Sequence, residues 1–333
     1  MAERDYSIDI LKGIGIILVI VGHSIPWEHP LGQVNHFIYS FHMPLFFLVS
    51  GYLFKKTSPR ELFKKDFKRL IIPYLWVSGI ILLSFIVKWI INPNYQIFDN
   101  VIKPLLWGAG GDHIEVVVFS DIQAITQLWF LLALFWGRFT INLLPDGLGG
   151  VIFAIALSVI GTIIGRYIIF LPTDINEGIS SVVFLLIGIK IKEAGINWPS
   201  MIICILFWFI SLYYFELSMS NCMYDCYPVQ VLGATGGTFV FYAFSKLCIR
   251  VKYLNTGLVW FGINSMAILC LHTIESHTGI WNVLGISNMM RFPCRIVFCV
   301  LFTVILSEWE YSRSILGIKK LNGIISLSLN ERK

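Results

Sequence analysis

Residues 7–27 read SIDILKGIGIILVIVGHSIPW, an apolar helix that carries Asp9, Lys12 and His23. The next such stretch, residues 34–54, reads VNHFIYSFHMPLFFLVSGYLF, with His42 just ahead of Pro44 and a Ser50–Gly51 pair towards its end. An ionisable group inside a lipid-spanning helix costs roughly 2.5–3.5 kcal/mol on insertion scales, and it usually faces a bundle interior or a watery cavity. Lys12 and His23 are eleven positions apart. That is about three helical turns, so both project from one face, roughly 16 Å apart along the axis. Asp9 lies three residues before Lys12 and Asp5 four before Asp9, which puts both acids on the same stripe.

Composition supports a membrane reading for the whole chain. Of 333 residues, 56% are hydrophobic and only 14% charged, and the mean hydropathy is +0.75. Soluble domains average about 25% charged residues. At roughly twenty residues per span the length suits an all-α polytopic integral membrane protein of about ten transmembrane helices, forming a single domain over 1–333 with no separate soluble domain. Expected spans are 8–27, 34–54, 70–91, 125–145, 148–171, 178–195, 199–219, 228–248, 257–281 and 294–312. No internal repeat stands out, and the N-terminus does not read as a cleavable signal peptide.

Residues 55–69, KKTSPRELFKKDFKR, form the most basic segment. Short basic loops stay in the cytoplasm, which places both termini there as well. Other expected inner segments hold Lys190, Lys192, Lys246, Arg250, Lys252, Lys319, Lys320, Arg332 and Lys333. The outer ones hold Asp99, Asp112, Glu115, Asp121, Asp174, Glu177 and Asp225, with Lys103, Arg291 and Arg295 as basic exceptions. Trp27, Trp89, Trp107, Trp198, Trp281 and Trp309 fall near span ends, where interfacial anchors belong. The net charge of +5 follows from this loop bias and is no sign of nucleic-acid binding. Seven cysteines without C-x-x-C spacing suggest no metal site. Cys222 and Cys226, in an expected outer loop, would be able to form a disulfide in an oxidising compartment.

This topology sets His23, His42 and His272 at comparable depth in the outer part of the membrane, with Lys12 near the inner end. A polar path from the inner face to an outer histidine cluster is the functional expectation. Imidazole serves as base, acid or nucleophile near neutral pH. Lys12, with Arg69 or Lys65, suits an anionic donor from the cytosol, and Arg138 is a further donor contact. Structural readings stand beside these. Membrane histidines also serve as interhelical hydrogen-bond partners, Lys12 can snorkel while pairing with Asp9, and the basic segment can be purely topological. Ser50–Gly51 suits close helix packing. Pro44 is expected to bend the second span and free a carbonyl beside His42.

At these residues the chain resembles the membrane-bound acyltransferase 3 family. A Lys/Arg-x10-His span is matched by Lys12 and His23, and a following hallmark by FHMPLFFLVSGYLF, residues 41–54. RLIIPY, residues 69–74, resembles the next block, while the family's Arg-x-x-Arg pattern is only approximated by Lys65 and Lys68–Arg69. LWFLLAL near Trp129 and NSMAILCLH ending at His272 are weaker similarities. The resemblance implies a ten-helix O-acyltransferase of a bacterial inner or plasma membrane. It would move an acyl group, commonly acetyl, from cytoplasmic acyl-CoA to a hydroxyl of an extracytoplasmic or lipid-linked glycan. On that reading Lys12, Arg69, Arg138 and Lys65 contact the donor, and His23 is the general base with His42 assisting. Asp9, Ser50 and His272 support them. An acyl-histidine intermediate is the competing mechanism. The alternative from another class is a glycan or lipid-linked sugar transporter using the same polar path.

Overall fold

A computed structural model describes residues 4–25, 32–91, 93, 96–111, 122, 124 and 127–320, with the backbone alone described at 252, 288 and 289. Trp27, the acids at 112, 115 and 121, and the C-terminal Arg332 and Lys333 therefore lie outside the described residues. The described residues are predominantly helical. Helix α1 spans Tyr6–Gly22, α2 Gly32–Tyr39, α3 His42–Tyr52, α4 Pro59–Asp66, α5 Ile72–Ile91 and α6 Lys103–Trp107. Next come α7 Trp129–Leu143, α8 Leu148–Tyr167, α9 Ile175–Ser180, α10 Val182–Ala194, α11 Trp198–Tyr214 and α12 Tyr227–Cys248. The last are α13 Lys252–Ile263, α14 Ser265–Thr278, α15 Ile280–Val283, α16 Asn288–Leu306 and α17 Glu310–Leu316. A short antiparallel hairpin pairs Leu217–Ser218 with Met223–Tyr224.

Among the described residues, Pro59–Ile91, Leu148–Tyr167 and Tyr227–Cys248 are each long and apolar enough to cross a bilayer. Tyr253–Ile263 and Ser265–Thr278, bent by 71°, would together make a fourth such span. The first two of these present Leu75, Leu83, Ile90, Ile152, Phe153 and Ile163 outwards. Outward apolar side chains on a helix whose backbone bonds are internally satisfied are what a lipid environment selects. Helix lies in each of the ten expected segments, but 34–54, 178–195, 257–281 and 294–312 are each divided.

The break in 34–54 has an identifiable cause. Pro44 lacks an N–H and its ring crowds the carbonyl four residues back, so a helix tolerates it only in the first turn. The chain accordingly interrupts at Ser40–Phe41 and restarts at His42, with Phe41 at φ −148°, ψ −18°. Pro44 thus begins a helix instead of bending one. At the break Ile38 O accepts the Phe41 amide at 3.3 Å and, with its second lone pair, His42 Nδ1 at 2.9 Å.

The basic segment also differs from the loop expected of it. Ser58 caps α4, its Oγ accepting the Glu61 amide at 3.3 Å, and Pro59 opens the first turn. Through a π turn at Phe67–Ile71 this helix runs directly into α5. π turns inside helices are frequent at functional sites, and this one contains Arg69.

Helix α1 lies at the centre, touching α2, α3, α12, α13, α14 and α16. Its N-cap is Asp5, whose carboxylate accepts the Ser7 amide at 2.9 Å, so Asp5 terminates the helix and does not extend the stripe of Asp9 and Lys12. Close approach of α1 to α13 depends on two glycines. A Cβ at Gly262 would stand 1.7 Å from Asp9 O, and one at Gly13 2.1 Å from Leu258 O. Gly262→Ala is therefore expected to push the helices apart at a cost of about 1–3 kcal/mol, read as a lower unfolding temperature in detergent.

Two further expectations need correction. Trp281 is buried and is no interfacial anchor; its indole N–H donates to Glu275 Oε2. Cys222 and Cys226 are both free thiols. Cys222 is buried in a left-handed turn (φ 48°) against α8, whereas Cys226 stands at the start of α12, so the two point into different packing environments.

Candidate functional site

A cavity of about 630 Å³ opens among α1, α3, the π turn, α7, α13, α14 and the 314–317 segment. Lys12, Ser50, Lys65, Arg69 and Arg138, named from four separate stretches of sequence, all line it. Its walls hold six cations and one carboxylate, Asp66. A concave basic surface with apolar walls concentrates field lines and attracts anions.

Each basic group is held differently. Lys12 Nζ lies 2.7 Å from Asp9 Oδ1, while Asp9 Oδ2 accepts from Arg4 Nε at 2.7 Å. Asp9 thus orders Lys12, as its spacing suggested, and leaves the ammonium 22% exposed on the cavity side. Arg138 is the most restrained. Its Nε donates to Asp66 Oδ2 at 2.7 Å and its Nη2 to Asp66 Oδ1 at 3.4 Å, and its Nη1 donates to Ser50 Oγ at 3.0 Å. The guanidinium also sits 5.1 Å from the Phe54 ring centroid. Ser50 therefore does more than permit packing, a role taken by Gly51, where a Cβ would stand 2.1 Å from Leu185 O. Lys65 and Arg69 lie at the exposed rim.

Away from this basic mouth the lining turns apolar, with Ile16, Phe46, Phe130, Leu134 and Met266. Among the described residues this cavity shows a basic mouth followed by an apolar sleeve. At the far wall stand Val19, Met43 and Leu269. These residues are four before His23, one after His42 and three before His272. The cavity thus ends one layer short of all three imidazoles.

Those rings form one group. His23, at the C-terminus of α1, has its ring centroid 5.6 Å from that of His272 on α14. Tyr39 bridges the other pair: its hydroxyl is 3.4 Å from His23 Nδ1, and its ring centroid is 4.8 Å from that of His42. Because Ile38 O can only accept, neutral His42 carries its proton on Nδ1 and leaves Nε2 as the lone-pair nitrogen. For His23 the partner is a hydroxyl, which either donates or accepts.

Sequence reasoning missed four members of this constellation. Tyr39 lay unremarked in the second stretch, Asp66 was counted only as part of a basic run, and Arg295 was read as a loop charge. Glu275 had a readable signal: it follows His272 by three positions, the spacing of neighbours on one helical face. Arg295 Nη1 donates to the carbonyl of His23 and, at 3.4 Å, to Ser24 Oγ.

Several known proteins share stretches of this chain. The nodulation protein NolL of Sinorhizobium fredii (strain NBRC 101917 / NGR234) is 41% identical over 71 residues, covering 18% of this chain and 19% of the relative. NolL of Mesorhizobium japonicum (strain LMG 29417 / CECT 9101 / MAFF 303099) is 44% identical over 61 residues, 15% and 16% of the two chains. The inner membrane protein YcfT of Escherichia coli (strain K12) is 26% identical over 150 residues, 40% and 42% of the two. The matched stretches span less than half the length of each of these relatives. No solved structure matches the chain. A family model described as an acyltransferase domain matches residues 5–308, nearly the whole length. The chain is a multi-pass helical membrane protein and belongs to the acyltransferase 3 family.

Proposed function

We propose that this acyltransferase transfers acetyl, or another small acyl group, from cytoplasmic acyl-CoA to a hydroxyl of an extracytoplasmic or lipid-linked glycan. The observation that carries this reading is the cavity itself, with cations at one end and neighbours of three histidines at the other. The protein sits in a bacterial inner or plasma membrane with ten spans and both termini cytoplasmic, so that the basic mouth opens to the donor. Phosphates of CoA rest against Lys12, Arg69 and Lys65, with Arg138 behind them. The apolar sleeve takes the pantetheine arm, which runs the roughly 16 Å from Lys12 to His23.

His23 acts as general base. A sugar hydroxyl oxygen bonds to the thioester carbon while its proton passes to the imidazole. The carbon–sulfur bond then breaks, and the imidazole returns the proton to the leaving thiolate, giving the ester and CoA thiol. His42, its proton held on Nδ1 by Ile38 O, offers Nε2 as an acceptor and assists as a relay for the proton on its way to the thiolate.

The test is transfer of radiolabelled acetyl from acetyl-CoA to the glycan fraction of source-cell membranes by purified, reconstituted protein. Label in glycan supports the reading. Glycan translocation without any acetyl transfer would favour the transporter alternative. In the same assay Lys12→Ala and Arg69→Ala are each expected to raise KM for acetyl-CoA by about 10- to 100-fold, the worth of one charge-assisted hydrogen bond, with kcat little changed. An unchanged KM in both would remove the basic mouth from donor binding.

A further inference from the structure

Glu275 lies wholly inside the protein, as does His272 beside it. Its Oε1 accepts from His272 Nδ1 at 2.7 Å and from Ser276 Oγ at 3.2 Å, and it pairs with Arg295 Nε at 3.2 Å. Its Oε2 accepts from the Trp281 indole. A carboxylate so surrounded by donors only accepts, so it sets the tautomer of His272: Nδ1 carries the proton and Nε2 keeps its lone pair. That Nε2 is buried, and among the described residues it has no hydrogen-bond partner.

A purely structural histidine in a helix bundle would be expected to use both ring nitrogens, because an unsatisfied buried acceptor costs about 1–3 kcal/mol. Here one nitrogen is anchored and the other left bare, on a ring whose centroid stands 5.6 Å from that of His23. Glu275 reaches His23 by a second route as well. Arg295, its ion-pair partner, donates to the His23 carbonyl and thereby ties α16 to the end of α1.

We infer that Glu275 is a positioning residue for acyl transfer: it holds His272 with Nε2 bare next to His23, so that His272 steadies the imidazolium formed when His23 takes the hydroxyl proton. This rests on His23 being the base. The arrangement follows the logic of an acid–histidine pair, in which the acid orients an imidazole without itself being protonated. One imidazole has simply been inserted between the acid and the base. No bond is made or broken at Glu275 or His272; the proton goes from hydroxyl to His23 and on to thiolate.

The experiment compares Glu275→Gln, Glu275→Asp, His272→Gln and His23→Ala as full-length protein in liposomes, with radiolabelled acetyl-CoA as donor and source-cell glycan as acceptor. Acetyl-CoA binding, measured separately, reports the folded fraction, because the basic mouth lies at the opposite end of α1. Glu275→Gln can present its amide N–H₂ to Nδ1 and so reverse the tautomer. It is expected to lower kcat by about 100-fold or more while KM for acetyl-CoA stays within about threefold. Glu275→Asp should regain at least about a tenth of wild-type kcat, and His272→Gln should lose as much as Glu275→Gln. A Glu275→Gln kcat within about threefold of wild type, alongside inactive His23→Ala, would overturn the inference and leave the general base standing. Loss of acetyl-CoA binding equal to the loss of turnover in both Glu275 variants would mean a structural role and overturn it too. Should Glu275→Gln fail to fold, His272→Gln decides alone, and retained turnover there counts against the inference. Active His23→Ala, or a wild type that transfers nothing, removes the premise and the inference together.

Discussion

His23→Ala is expected to lower kcat for acyl transfer by about 10²- to 10⁴-fold, the range supplied by a positioned general base, with KM for acetyl-CoA nearly unchanged. The separation of the two parameters follows from the geometry. His23 lies at the C-terminus of α1, about three turns from Lys12, and is not itself among the residues that line the basic cavity. Removing the imidazole leaves the backbone clamp intact, because Arg295 grips the His23 carbonyl and not its ring. The protein should therefore fold, bind donor and stall. His42→Ala provides the contrast. It removes the side-chain hydrogen bond to Ile38 O inside the broken second helix and should cost stability along with activity. Reconstituted variants assayed for transfer and for acetyl-CoA binding in parallel separate the two effects. A His23→Ala enzyme with ordinary turnover would take the base role away from this residue.

Asp66→Ala should be the most destabilising single change at the site. Asp66 is 2% exposed and Arg138 9%, and their contact is two-pronged. Removing one partner of a buried pair leaves an uncompensated charge, at a cost of about 3–5 kcal/mol. The result would appear as a marked drop in unfolding temperature in detergent. Arg138→Gln combined with Asp66→Ala should recover part of that loss, since the double variant no longer buries a lone guanidinium. If the double variant is no better than the single, the pair does not couple and Arg138 is satisfied by Ser50 and Phe54 alone.

The central helix and the basic mouth were legible in sequence for a simple reason. Lys12 and His23 share one helix, where spacing translates directly into geometry, and Asp9 lies within one turn of Lys12. Lys65 and Arg69 lie in a run dense enough in charge to mark its place. The helical nature of that run was also written locally, in Ser58-Pro59-Arg60-Glu61, a capping pattern overshadowed by its charge. What spacing cannot express is contact between segments far apart in sequence. Asp66 meets Arg138 across 72 positions, and Arg295 reaches His23 across 272. Hydropathy also reads a broken span and an intact one alike. The interruption at Ser40–Phe41 leaves 34–54 predominantly apolar, yet it sets Ile38 O where it orients His42. Trp281 shows the same limit: its position near a span end suggested an anchor, and only the fold turns its indole inward to Glu275.

The most direct test of the account is a structure of the protein with a non-transferable thioether analogue of acetyl-CoA bound. The analogue's phosphates should lie against Lys12, Lys65 and Arg69, its pantetheine arm along Ile16 and Phe130, and its acetyl carbon within reach of an oxygen held about 3–3.5 Å away beside His23. An analogue whose nucleotide binds outside that cavity, or whose acetyl group stops at the basic mouth with His23 turned into lipid, would contradict it.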